Sequence, residues 1–258
     1  MTASAAKVMD KVTLKNGYDV WFGLYGSADA RYSYVFVHGG AGSHADFKEL
    51  SPLLVRENFN VIALDLPGSG RTSRDAAGGD KLTEDSLIET GIEVIRIFEA
   101  RNARWRCILV GHSFGGGTAM QAIARGKLST SQFHKTLLAQ LLALSIAARA
   151  TVTRFIMEYF LYFVTIKVLG LSPKLTMQDS TMMYQRGGTI DFPAVKVCAE
   201  YIQRSKLPVF HASARNDIIV EKAISDEIAA LLKPASKLSS NGAATIFKRR
   251  EQPNLLKR

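Results

Sequence analysis

The chain has 258 residues, 47% of them hydrophobic and 22% charged, with 20 glycines and 7 prolines. That is ordinary globular composition, long enough to bury a full core in one large or two small domains, and it excludes a disordered, collagen-like or coiled-coil protein. The net charge of +10 raises the question of an anionic partner. The basic residues are scattered singly, except in a tail bearing Lys248, Arg249, Arg250, Lys257 and Arg258, and no nucleic-acid-binding signature accompanies them, so nucleic acid is not an expected partner.

In chain order, Val12–Leu14 and Tyr18–Leu24 flank Asn16-Gly17, which predicts a hairpin with a two-residue turn. Tyr32–Val37 is a short apolar run that enters His38-Gly39-Gly40, as a buried parallel strand enters a glycine-rich loop. Ser43, with Asp46 three residues on, predicts a capped helix start. Val61–Leu66 is a second buried strand, stopped by Pro67-Gly68. Leu82–Ala100 predicts a long amphipathic helix with Leu87, Ile88, Ile92, Ile95 and Phe98 on one face. Cys107–Val110 is a third buried strand, and Gly111 begins a sharp turn into a helix from Phe114 to about Arg125.

Beyond that helix the pattern loosens. Leu137–Ile146 fits a strand or a helix, and Arg149–Leu171 reads as helix rich in aromatics. Asp191, with Pro193 just inside the start, opens a helix to about Arg204. Pro208–Ala212 is a short strand, Ile218 to Leu232 a helix, and Thr245–Phe247 a last strand. Strands alternating with helices predict an α/β fold: a mostly parallel sheet with helices on both faces.

Cys107 and Cys198 cannot staple a chain of this size, and histidine and cysteine are too few and dispersed for a metal site, so no metal or cofactor is expected. Met1–Lys11 has no apolar core of a signal peptide, so the expectation is an intracellular protein, with the cytoplasm as the first location and the mitochondrion as the alternative. The most apolar stretch, Leu137–Leu171, is interrupted by Gln140, Arg149, Arg154, Glu158 and Lys167, so no membrane span is expected.

Gly111-His112-Ser113-Phe114-Gly115 is G-x-S-x-G, placed between a buried strand and a helix. Glycines at both ends allow a tight, strained turn that exposes the Ser113 hydroxyl, and the helix N-terminus beneath it favours developing negative charge. Gly68-Ser69-Gly70-Arg71-Thr72-Ser73 lacks the lysine of a phosphate loop and reads as a turn.

With these motifs in order, the sequence resembles the α/β-hydrolase fold family from about Val12 to Leu232. Val35–Ser43 looks like that family's loop after the third strand. Ile62–Ser73 looks like its D-x-P-G-x-G-x-S segment, and Pro208–Asp217 like the late strand and loop that end in the acid. The resemblance implies Ser113 as nucleophile, Asp217 as the orienting acid, and backbone N–H groups of Phe114 and of Gly40 or Ala41 as the oxyanion hole. A serine rather than an aspartate at the elbow implies acyl transfer on an ester, thioester, lactone or amide. The resemblance also implies a helical lid at about 149–207 within a single domain spanning 1–258. Its aromatic residues Phe155, Tyr159, Phe160, Tyr162 and Phe163, with Met157, Met182 and Met183, form either the core of that lid or an apolar acyl pocket.

The family's base is a histidine that follows the acid. Here the last histidine is His211, before Asp217, and Glu251 or Gln252 stands where the base belongs. His38, His112 and His211 read as structural, His134 as surface, and His44 as a residue that could line the pocket. Glu251 is a poor base beside Arg249 and Arg250, whose charges lower a carboxyl pKa. Three expectations stand side by side: an active serine hydrolase of a small apolar acyl substrate with an unrecognised base; an inactive homologue serving as a binding or assembly subunit with a protein partner; or a C-terminus lacking its histidine. Peripheral membrane contact through the apolar lid is compatible with each.

Overall fold

The computed structural model describes residues 7–56, 58–127, 151–214 and 222–240. Strand β1 (Lys7–Thr13) and strand β2 (Asp19–Tyr25) form the expected hairpin, in register from Lys7↔Tyr25 to Thr13↔Asp19. The loop is one residue longer than predicted. Leu14 N–H donates to the Tyr18 carbonyl at 2.8 Å, and Gly17 sits at φ +84°. Lys15, Asn16 and Gly17 thus form a three-residue loop whose left-handed position only glycine fills cheaply.

Strands β3 (Tyr32–Val37), β4 (Phe59–Leu64) and β5 (Arg106–Gly111) are parallel neighbours, β4–β3–β5, and β2 joins the outer edge of β4 antiparallel. The five-stranded order is β1-β2-β4-β3-β5. Alternation along the strands divides the core. Val35, Ile62 and Leu64 face one side with Val12, Val20, Phe22 and Trp105, where α2 (Glu84–Arg101) covers them with Val94 and Phe98. Phe36, Val61 and Ala63 face the other side with Phe47, beneath a short helix α1 (Ser51–Leu54). Helices therefore cover both faces of a mixed sheet with a parallel centre, as the sequence predicts.

Helix α3 (Phe114–Lys127) follows β5. Helix α4 (Thr151–Phe163) widens into a π turn over Val164–Val168 and stops at Gly170, φ +63°. Helices α5 (Met177–Thr189) and α6 (Phe192–Arg204) precede strand β6 (Phe210–Ala214), helix α7 (Lys222–Leu232) and strand β7 (Ser236–Ser240). Strands β6 and β7 pair in parallel as a separate two-stranded sheet.

Several boundaries differ from expectation. The capped start at Ser43 opens only a 3-10 turn, His44–Phe47, before Pro52 begins α1 afresh. Strand β4 lies two residues earlier than read, although the Asp65 N–H still bonds the Trp21 carbonyl at 2.9 Å. Helix α5 and strand β7 were not expected. The segments Leu137–Ile146 and Thr245–Phe247 lie outside the described residues.

Candidate active site

The turn between β5 and α3 is built by close backbone approach. A Cβ on Gly111 would overlap the Gly115 carbonyl, and one on Gly115 would overlap the Val37 carbonyl. The His112 N–H donates to Val37 O at 3.0 Å, and the Gly115 and Gly116 N–H groups donate to His112 O and Ser113 O at 2.9 and 2.8 Å. Between these bonds Ser113 is held at φ +54°, a left-handed conformation uncommon for any residue with a Cβ. The strain projects Ser113 off the end of the strand, with its Cβ 3.2 Å from where a Cβ on Gly39 would stand. The loop after β3 therefore faces the serine.

That loop is anchored by His38, which is fully buried. Its Nε2 accepts the Leu66 N–H at 3.1 Å, so its Nδ1 carries the proton and donates to the Gly39 carbonyl at 2.8 Å. Burial, with the charge of Arg186 adding to it, pushes the His38 pKa down to about 3, so the ring is neutral. Opposite the elbow, the N–H groups of Gly40, Ala41 and Phe114 find no acceptor among the described residues. Backbone N–H groups inside a protein are nearly always paired, so three without an acceptor mark the space between the loop and the elbow. Helix α5 closes over it: a Cβ on Gly40 would stand 2.7 Å from Met183 Cγ and 2.8 Å from the Phe114 ring.

Beneath the loop lies a buried polar cluster that the sequence reading missed. Arg186, on α5, and Glu84, at the start of α2, are each 1% exposed and meet at 2.9 Å. Arg186 also donates to the Gly39 carbonyl at 2.7 Å and to the Thr118 hydroxyl at 2.9 Å, while Thr118 donates to Glu84. Its guanidinium stands 5.7 Å from the centre of the Phe114 ring. The one legible signal was Thr176 with Asp179 three residues on, a capping box that opens α5.

His44 lies against Asp65 and β2. Its Nδ1 meets Asp65 Oδ1 at 2.8 Å and its Nε2 meets Lys7 Nζ at 2.8 Å, so both ring nitrogens are engaged. Burial alone would raise the Asp65 pKa, but hydrogen bonds from the His44 side chain and from the backbone of His44 and Arg71 outweigh it and hold the carboxyl below its usual range. His211, read as a satisfied core residue, is half-buried on β6, and its Nδ1 has no partner among the described residues. Asp217, Glu251, Gln252 and His134 lie outside the described residues. Of the aromatics read on the helical segment, Tyr159, Phe160 and Phe163 are exposed rather than packed inside it, whereas Met182 is buried with Val37, Leu66, Leu82 and Leu87. Among the described residues no group of three metal-ligating side chains occurs, and no helix is long and apolar enough to cross a membrane.

The profile of the alpha/beta hydrolase family matches residues 34–207, about two thirds of the chain and all of the elbow and the loop opposite it. The chain belongs to that family. It is 31% identical over 107 residues to an uncharacterised hydrolase, YugF, of Bacillus subtilis, covering 42% of this chain and 36% of that protein. It is 31% identical over 117 residues to a bifunctional esterase/perhydrolase of Acinetobacter calcoaceticus, covering 45% and 40%. The chain thus spans about two fifths of the length of these curated relatives. In fold, solved structures superpose on about nine tenths of the chain. A haloalkane dehalogenase loop variant from Bradyrhizobium elkanii superposes with a TM-score of 0.63 at 17% identity, over 92% of this chain and 91% of that one. The thioesterase domain of the curacin biosynthetic pathway superposes with a TM-score of 0.61 at 14% identity, over 92% and 93%.

Proposed function

We propose that this chain is a serine hydrolase that transfers an acyl group from an apolar ester or related substrate to water. The observation that carries the reading is Ser113, held at φ +54° on the elbow with its Cβ 3.2 Å from where a Cβ on Gly39 would stand, so that the loop bearing the Gly40 and Ala41 N–H groups lies against it, beside the N–H of Phe114. Ser113 Oγ attacks the acyl carbonyl, and the oxygen that becomes negative settles among those N–H groups. A base takes the hydroxyl proton and returns it to the leaving alcohol; water then repeats the sequence on the acyl-enzyme. Asp217, three residues past the end of β6 at Ala214, is the acid of this reading. The insertion at about 149–207, whose described helices run from Thr151 to Arg204, is its lid, and Met183 and the Phe114 ring form the apolar wall beside the carbonyl. Relatives named as esterases and hydrolases support this reaction class.

The different-class reading, an inactive homologue that binds a partner, is favoured by one observation. The ring nitrogens of His38 and His44 are bound to Leu66, Gly39, Asp65 and Lys7, and neither ring is offered to Ser113. For that reading the exposed Tyr159, Phe160 and Phe163 of α4 are the surface for a partner or a lipid interface. The discriminating experiment is hydrolysis of p-nitrophenyl and thioester substrates of increasing acyl length by the wild type and Ser113→Ala. Activity lost about 10³-fold or more in the alanine variant supports the enzyme. Equal background rates from both proteins refute it and leave the binding reading.

A further inference from the structure

Arg186 is the largest side chain that is fully buried among the described residues, and it is not placed where a substrate would touch it. We propose that Arg186 is a positioning residue that sets the oxyanion hole, by fixing the Gly39–Gly40 peptide in the orientation that points the Gly40 N–H at the reacting oxygen. The inference rests on the serine-hydrolase reading above for its catalytic consequence, but not for its geometry.

Peptide planarity sets the geometry. In a trans peptide the C=O and the following N–H point in opposite directions in one plane, so whatever holds the Gly39 oxygen also aims the Gly40 hydrogen. The described residues contain no cis peptide. Two glycines in succession give that peptide little steric restraint of its own. The Gly39 oxygen accepts from Arg186 at 2.7 Å, from His38 Nδ1 at 2.8 Å and, at 3.4 Å, from the Gly42 N–H. Arg186 is the shortest of the three and the one charged donor. It comes from a different part of the chain, 147 residues away. A charged donor on the carbonyl also polarises the peptide, which strengthens the N–H as a donor in turn.

The same guanidinium reaches the other half of the hole. Its Cζ lies 5.7 Å from the centre of the Phe114 ring, and it bonds Thr118 one turn further along α3. It therefore links the loop after β3 to the Thr118 hydroxyl and to α5. Glu84 neutralises it at 2.9 Å, so the group acts through direction rather than through net charge at the reacting centre. Only a planar fork spans these partners: a lysine at 186 keeps the charge opposite Glu84 but cannot reach the Gly39 carbonyl and Thr118 together.

The test uses the full chain as wild type, Arg186→Lys and Arg186→Met. One readout is the Gly40 amide resonance in a ¹⁵N-labelled sample, with Gly116, bonded to the Ser113 carbonyl, as the internal control. The other is the rate and half-saturation of Ser113 labelling by a fluorophosphonate. The proposal expects the Gly40 resonance to move or broaden in both variants while Gly116 stays in place. It expects the limiting labelling rate to fall about 100-fold in Arg186→Met with little change in half-saturation, and Arg186→Lys to recover part of the loss. A folded variant whose Gly40 resonance is unmoved overturns the proposal, whatever its labelling rate. If Arg186→Met does not fold, Arg186→Lys alone decides it in the same way. A wild type that never labels, with a Gly40 resonance that still moves in the variants, refutes the hydrolase reading and upholds the positioning.

Discussion

Replacing Glu84 with Gln removes one charge from the most deeply buried ion pair described. Both side chains of Glu84–Arg186 are 1% exposed, and Glu84 also accepts from Thr118. Taking away one partner leaves the guanidinium charged and uncompensated in a low-dielectric interior, a change that costs about 3–5 kcal/mol. The exposed pair Lys11–Asp19, with side chains 48% and 29% accessible, is the control, because solvent screens such pairs and they contribute little. Urea unfolding followed by far-ultraviolet circular dichroism measures both. At a slope of about 3 kcal/mol per molar, Glu84→Gln should lower the midpoint by about 1 M or more and Asp19→Asn by less than about 0.3 M. The double variant Glu84→Gln/Arg186→Met no longer buries an orphan charge, so it should be more stable than Glu84→Gln alone. A Glu84→Gln protein within about 1 kcal/mol of the wild type, or a double variant that falls further still, refutes the reasoning that burial of this pair is strongly coupled.

Two further outcomes follow from the geometry of the turn and the loop. Ser113→Gly relieves a left-handed position that costs about 1 kcal/mol for a residue with a Cβ, so it should raise thermal stability while abolishing any chemistry at the elbow; a lower melting temperature would contradict the strain. His38 titrates at about 3 in the folded chain against 6.5 unfolded, so its contribution is intact above about 6.5 and is lost as pH falls toward 3, at up to about 1.4 kcal/mol per unit. Asp46, pushed up to about 6 by burial against 3.8 unfolded, works in the opposite sense, its contribution being lost as pH rises through that window. The His38 share is therefore read by difference: between pH 7 and 4.5 the wild type should lose more stability than His38→Asn, and parallel curves would contradict a buried neutral ring.

The elements that bear the site were the ones the sequence specified locally. Gly111-His112-Ser113-Phe114-Gly115 between an apolar run and a helix needs no partner elsewhere to be recognised, because its glycines are required by contacts within a few residues. The His38-Gly39-Gly40 loop and the capping box at Ser43 and Asp46 were legible for the same reason. The buried ion pair was not, since Glu84 and Arg186 are 102 residues apart and no local pattern joins them. Strand β7 was missed because Ser236–Ser240 is polar and largely exposed, which gives no apolar alternation to follow. Tyr159, Phe160 and Phe163 of α4 read as the core of a lid or the wall of an acyl pocket because they are large and close together, yet hydrophobic side chains also cover a good part of any protein surface.

The central claim is that Ser113 is chemically activated. Intact-mass measurement after exposure of the full chain to a fluorophosphonate tests it most directly, with Ser113→Ala beside it. The account predicts one phosphonyl adduct on the wild type, mapped to Ser113, and none on the alanine variant. A folded wild type that takes up no adduct, or one whose adduct persists in Ser113→Ala, would contradict it.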